Sequence, residues 1–421
     1  MCCTEEDCCM INSKRDTMIS LAFFLLAAAL GVFLRLLYVF DISVDYRYFV
    51  HTHSHIALLG WVYIGLTTLV YKLYLEKCNV TKKYRNIFWF TQLTLLGMLF
   101  SFPFQGYALF SITFSTLFLF ASYWFTWFFI KNVSEKFKNT KSYKCIKASL
   151  WYMIISSIGP WALGAIMSTL GADSIWYRLA IYFYLHFQYN GWMILALFGV
   201  LIFILEDQEV SISNDSFNSF FWAINLGIIL SFFLSVLWTK PASIYYILGG
   251  VGSLLQCIAF LIFIKLLVKS RMVLSTVFSG FQKKLLRTVG ILLLIKFLLQ
   301  IASAFPYVAN LATTIIDFTI AYLHWTFLGV VSISLFVFLD YFKLIKIPKK
   351  GYYIYLFGFA LTELLIFYKG AVIWLDFIFF EQYFIALSIA SVVILIGISY
   401  LFIANLRRGV KHDFKNRDIL S

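Results

Sequence analysis

The stretch Tyr46–Trp61, YRYFVHTHSHIALLGW, places three of the chain's six histidines at positions 51, 53 and 55, at the head of an apolar run. An imidazole taken out of water needs a hydrogen-bond partner or a metal, so the rest of the chain must explain this segment. Two later stretches repeat it. Tyr177–Trp192, YRLAIYFYLHFQYNGW, matches at Tyr46 and Tyr177, Arg47 and Arg178, His55 and His186, Gly60 and Gly191, Trp61 and Trp192, all at one offset of 131 residues. Ile315–Val330, IIDFTIAYLHWTFLGV, keeps His324 and Gly329 at the same spacing, with Ile315 and Ile316 in place of the Tyr-Arg pair and Val330 in place of the Trp. Self-similarity is read before any other pattern in a long chain. A transporter of two halves would repeat near residue 210, whereas this chain divides in three.

Around the motif, composition decides the class. Of 421 residues, 62% are hydrophobic and 13% charged, and the mean hydropathy is +0.86. Soluble domains carry about 25% charged residues, so the chain is read as an integral membrane protein. Apolar runs of about 20 residues predict twelve spanning helices at 18–40, 51–75, 87–106, 108–130, 148–170, 177–205, 217–238, 243–268, 285–305, 311–339, 352–373 and 383–404. The third and fourth part at Pro103, Gln105 and Gly106. The first follows Lys14 and Arg15, is too long for a signal segment and lacks a cleavage site, so it counts as helix 1. The expected fold is all-α, with one twelve-helix membrane domain over 17–406 between a tail at 1–16 and a basic tail at 407–421. Its helices form three pseudo-symmetric four-helix arcs, at 17–131, 148–268 and 285–404, so that the repeat histidines fall on helices 2, 6 and 10.

Charge orients the chain. With both termini cytoplasmic, the basic segments Lys72–Arg85, Lys131–Lys147, Lys265–Arg287, Lys343–Lys350 and Arg407–Arg417 share the inner side with Lys14 and Arg15. Of the 34 Lys and Arg, only Arg35, Arg47, Arg178, Lys240, Lys296 and Lys369 depart from the positive-inside pattern. The net charge of +14 therefore reports topology and contact with anionic lipid in the bilayer; nothing in it points to nucleic acid. Four of the seven cysteines sit in the N-terminal MCCTEEDCC, on the reducing side. They read as a dispensable tail, with a tail metal site as the alternative.

Helices 2, 6 and 10 all start on the outer side, which places the histidines in the outer half of the membrane, converging on the axis of the repeat. Ionisable groups inside a bilayer mark function by default. His51 and His55 share a helical face, while His53 points about 200° away. Gly60, Gly191 and Gly329, each five residues beyond its histidine, admit either a flat cofactor or a neighbouring helix. The bland alternative for any of these histidines is an interhelical hydrogen bond.

These residues carry a family resemblance. Twelve helices in three arcs, with histidines on helices 2, 6 and 10, resemble subunit I of the heme-copper oxidase superfamily. The segment HSHIALLGW also resembles the HxHxxxxG pattern of NnrS-like membrane proteins, the closest alternative family. The resemblance implies a bis-histidine b-type heme between His55 or His53 and His324, with Arg47 and Arg178 at its propionates or at lipid headgroups. It also implies a high-spin-heme ligand two residues before His324, where this chain has Tyr322. The oxidase copper site takes one helix 6 histidine, matched by His186, and a histidine pair on helix 7. Helix 7 here, Phe217–Trp238, has no histidine, so the standard copper centre is not expected. His186 with a remaining helix 2 histidine, His51 or His53, is left as a candidate copper or zinc site.

The remaining polar groups are few: Lys296 and Gln300 on one face of helix 9, Asp317 on the face of His324, Glu363 in helix 11, and Lys369 and Asp376 at its outer end. They read as buried structural pairs rather than a proton relay, and a redox pump is not supported. The expectation is a heme protein of the bacterial cytoplasmic (inner) membrane that transfers electrons or handles nitric oxide or oxygen. A redox partner or quinol and a small gas ligand would be its partners. If it is an enzyme, it is an oxidoreductase of the heme-copper or nitric oxide reductase type; no catalytic residue is assigned. The alternative is a transporter or metal-handling protein that uses His55, His186 and His324 to bind copper or zinc without heme. The orientation is directly testable. A membrane-impermeant thiol reagent should label Ala172→Cys in intact cells and Asn139→Cys only after permeabilisation; the reverse would invert the topology.

Overall fold

A computed structural model describes residues 5–418 apart from Lys77, with side chains from Ser13 to Arg408. The N-terminal cysteines, and the tail metal site considered for them, lie outside the described side chains. Among the described residues the chain is all-helical, without strands. Twelve helices are long and apolar enough to cross a membrane. Numbered in order as helices 1 to 12, they are Ser13–Leu36, Tyr46–Tyr74, Thr81–Gln105, Leu109–Asn132, Lys141–Thr169, Ile175–Asp207, Asn214–Thr239, Ser243–Lys269, Gly280–Ala302, Ile316–Tyr341, Lys349–Leu375 and Tyr383–Arg408. The soft division between the third and fourth is real. Gly106, at φ 58°, takes a left-handed conformation that other residues adopt only under strain, and it ends helix 3 one residue after Gln105.

Two boundaries differ from the sequence expectation. The helix containing the first span runs back to Glu5, so residues 5–16 of the stretch read as a tail are its first turns. Ser13, Asp16 and Thr17 are fully buried there. Ser13 Oγ donates to Glu76 (3.1 Å), which also pairs with Lys72, and Arg85 Nη1 donates to Asp16 Oδ1 at 2.8 Å. Helix 10 starts at Ile316 rather than 311, because residues 311–314 finish a separate short helix, Pro306–Thr314. Ile315 between them is extended (φ −108°, ψ 92°). The run Thr313–Ile316 is β-branched throughout, which crowds a helix, and the Thr313 and Thr314 hydroxyls donate back to Asn310 O at 2.8 and 2.9 Å.

The three repeat helices share a distortion in one register. Each is α-helical down to its histidine (Tyr46–His55, Ile175–His186, Ile316–His324). Each then widens into eight residues of π-helix: Ile56–Tyr63, Phe187–Ile194 and Trp325–Ser332. Runs of π-helix are rare and collect at functional sites, so three at the same position in three sequence copies are one feature repeated. These helices are also the most buried, at 89%, 94% and 67% of their spanning windows, against 33–50% for the others.

The first two copies pack alike around their glycines. A Cβ on Gly60 would lie 2.7 Å from the Phe23 side chain, and one on Gly191 2.6 Å from that of Tyr152. Both glycines therefore seat an aromatic ring of the preceding helix, and no flat cofactor fits over them. Trp61 and Trp192 are core residues rather than interfacial anchors, both at most 1% exposed; Trp61 stacks on Phe24 at 4.6 Å.

By contacts the chain forms two compact units. Unit 1 comprises residues up to Asn132, Leu335–Lys369 and Phe377 onward; unit 2 comprises Val133–Ser334 and Gly370–Asp376. Unit 1 thus holds His51, His53 and His55, and unit 2 holds His186 and His324. In detergent, Gly60→Ala and Gly191→Ala should each destabilise by about 1–3 kcal/mol through overpacking. Gly164→Ala, with open space around its Cβ, should leave the thermal midpoint unchanged.

Candidate functional site

Helix 2 begins at the Asp45 cap, whose side chain accepts from Arg47 N at 2.8 Å, and this phase aims its histidines as the sequence spacing predicts. His51 and His55 lie on one face, against helix 3 and the turn after it. The His55 ring is 4.5 Å from that of Phe102, and the His51 ring 4.6 Å from that of Tyr107. His53 faces helix 1 instead. Its Nδ1 donates to Ala27 O at 2.9 Å, and its Cε1 lies 3.2 Å from where a Gly31 Cβ would be. One turn further along helix 1, Arg35 acts electrostatically on both His53 and the buried Glu363. Glycine at 31 is what lets the imidazole reach the carbonyl.

The hydrogen bonds fix the tautomers. A backbone carbonyl only accepts, so the nitrogen facing it carries the proton. His55 Nδ1 donates to His51 O, one turn back, at 2.8 Å, and His53 Nδ1 donates to Ala27 O. In both rings Nε2 is then the unprotonated nitrogen, with its lone pair unused by these bonds. This is the form in which a histidine binds iron or another metal, with the second nitrogen held on a carbonyl.

His186 is arranged in the opposite way. It is buried, and its Nε2 donates to Ile228 O at 2.8 Å. That carbonyl is available because helix 7 tightens into a 3-10 turn at Phe232–Thr239, and Phe232 N bonds Ile229 O and Leu230 O. His186 Nδ1 accepts from Asn190 Nδ2 at 3.3 Å. Asn190 Oδ1 accepts from Lys296 Nζ at 2.6 Å, and Lys296 Nζ also donates to Gln300 Oε1 at 2.6 Å. The Lys296 amino group is fully buried and lies 4.8, 5.7 and 5.9 Å from the ring centroids of Phe297, Tyr189 and Tyr322. Both nitrogens of His186 thus serve partners within the protein, and the helix 6 copy is closed by an amide and a lysine.

The other sequence candidates are placed as follows. Arg178 is exposed, with its guanidinium 4.7 Å over the Trp238 ring. Arg47 is exposed and His324 half-buried. Tyr322, two residues before His324, lies with its ring 5.9 Å from the Lys296 amino group and 6.2 Å from the Tyr189 ring. Among the described residues no group of three or more His, Cys, Asp or Glu side chains comes together as a metal site. Sequence reasoning paired Lys296 with Gln300 but passed over Asn190. The available signal was an amide four residues after His186, on the same face of a membrane helix.

No protein-family model matches the chain, and no curated protein is significantly similar to it. Removing Gln300 leaves one Lys296 donor without its acceptor. Gln300→Leu should therefore cost about 1–3 kcal/mol, the penalty of an unsatisfied buried group. Lys296→Met, which leaves both Asn190 Oδ1 and Gln300 Oε1 without their donor, should cost more. Thermal unfolding in detergent checks the order; a smaller loss in Lys296→Met would contradict it.

Proposed function

We propose that this chain is a multi-pass protein of the bacterial cytoplasmic membrane that binds a b-type heme and transfers electrons or handles nitric oxide or oxygen. Its scaffold would be the three-arc arrangement of the heme-copper oxidases, with both termini cytoplasmic. The observation that carries the reading is the state of helix 2. His55 has Nδ1 held on His51 O and Nε2 presented as a lone pair, beside the water-excluding rings of Phe102 and Tyr107. A ligand held this way is pre-oriented and cannot rotate or protonate at the carbonyl side. A heme bound there would supply the one-electron chemistry. The chain's own residues fix the imidazole, exclude water and set the polarity around it.

The sequence repeat and the oxidase resemblance assign the second axial position to His324. His53 is a second ring in the same tautomer on the opposite face, held on the Ala27 carbonyl of helix 1. The closed helix 6 copy supports a protein without the oxidase copper centre, whether it acts as an electron carrier or as an oxidoreductase.

The test is the reduced-minus-oxidised visible spectrum of the purified protein, with metal analysis. A b-type bis-histidine signature should appear, vanish in His55→Ala and His324→Ala, and persist in His186→Gln. Loss in His53→Ala with retention in His55→Ala would move the ligand to the other face of helix 2. Stoichiometric copper or zinc without heme would replace this reading with metal handling.

A further inference from the structure

Unit 1 carries a second constellation that the heme reading does not use. At the basic end of helix 3, Arg85 and Arg15 both lie against Trp89, each guanidinium carbon 5.5 Å from the indole centroid. Asp16 lies between them: Arg85 Nη1 donates to Asp16 Oδ1 at 2.8 Å, and Arg15 Nε is 3.6 Å from the same oxygen. Two guanidiniums thus share one carboxylate, and the buried Arg85 Nη2 has no hydrogen-bond partner among the described residues. Lys82, exposed and one turn before Arg85 on the same helix face, adds a further positive charge. No acidic residue stands in the first turn of helix 3, and no side chain caps it. The cluster keeps a net positive charge beside an indole that is 49% exposed.

Below Trp89 the same face becomes apolar and outward-facing. Leu93, Leu96 and Phe100 are 57%, 43% and 67% exposed. They line a groove of about 490 Å³ between helices 3 and 4, with Gly97, Phe104 and Phe114. Gly97 forms its floor against Phe114, whose ring would lie 2.2 Å from a Cβ there. From Arg85 to Phe100 the helix rises about 22 Å at 1.5 Å per residue, which exceeds one leaflet, about half of a 30 Å hydrocarbon core. A cationic, indole-flanked head and an apolar groove one leaflet long, on one helix face, match an amphiphile with an anionic head.

We propose that this face is a binding site for an anionic phospholipid. Its phosphate would sit between Arg15, Lys82 and Arg85 at Trp89, and one acyl chain would lie along Leu93, Leu96 and Phe100. Arginine suits the phosphate through its planar, forked donors. Clustered basic side chains at the inner membrane face recruit anionic headgroups. The apolar groove makes the ligand a lipid rather than a free phosphate, and the charge makes it anionic rather than zwitterionic. The site stands apart from the histidines, so its test does not depend on heme.

The experiment is native mass spectrometry of the full chain released from detergent containing equal phosphatidylglycerol and phosphatidylcholine. The wild type should retain one phosphatidylglycerol in preference to phosphatidylcholine. The preference should fall about tenfold in Arg15→Gln/Lys82→Gln, which touches exposed side chains and spares the Arg85–Asp16 pair. Lys82→Gln alone, with a smaller fall, serves if the double variant is unstable. Equal retention of the two lipids would overturn the proposal, as would retention unchanged by the substitutions. Full competition by inorganic phosphate at matched concentration would also overturn it, since that would mark a simple anion site.

Discussion

Inside a bilayer no water waits to satisfy a backbone group that leaves the helical ladder, and this protein leaves it at several places. The departures are the wide turns after His55, His186 and His324 and the tight turn in helix 7. Side chains from within the same unit bond carbonyls along these helices. Ser20 Oγ donates to Trp61 O and Ser332 Oγ to Phe327 O, both at 2.8 Å. His186 donates to Ile228 O, and Gln256 Nε2 to Gly227 O at 3.2 Å. The burial of helices 2, 6 and 10 follows from the same constraint, because irregular backbone survives in a membrane only when protein surrounds it.

One scaffold has been given two chemistries. At the position four residues after the repeat histidine, the first and third copies have Leu59 and Leu328, and the second has Asn190. With leucine in place, the first copy leaves the imidazole lone pair unspent. With asparagine, the second copy caps the imidazole and passes the polarity on to Lys296, which ends against aromatic faces and Gln300. A buried amino group is costly unless its donors are met, and the neutral amides of Asn190 and Gln300 meet them here.

Much of this was legible in the sequence, and for physical reasons. Hydropathy reports span length directly, so the twelve helices and the break at Gly106 could be read off. The repeat was visible because the residues that build it have few substitutes: glycine where a ring presses, tryptophan in the core, histidine at the turn. The π-turns themselves were hidden, since no local propensity distinguishes π from α in an apolar run. The break at Ile315 was hidden by hydropathy that continues smoothly across it, although Thr313–Ile316 held a cue. The burial of Asp16 against Arg85 joins residues far apart in sequence, and a charge near the N-terminus reads as a tail until its partner is seen. The link from Asn190 to Lys296 spans 106 positions and leaves no mark on either helix alone.

The wide turns also act as phase shifters. A straight α-helix advances about 100° per residue, so the half of helix 2 before Ile56 and the half after Tyr63 face directions set by how many residues the turn contains. Deleting one residue between His55 and Ile64 would straighten the turn and rotate the histidines against the buried half of the same helix, while leaving composition and hydropathy almost untouched. Substitutions along this segment test single contacts; a change in its length tests all of them together. Over evolutionary time the spacing between each histidine and its glycine should therefore resist insertion and deletion more strongly than the identities of the residues between them resist replacement.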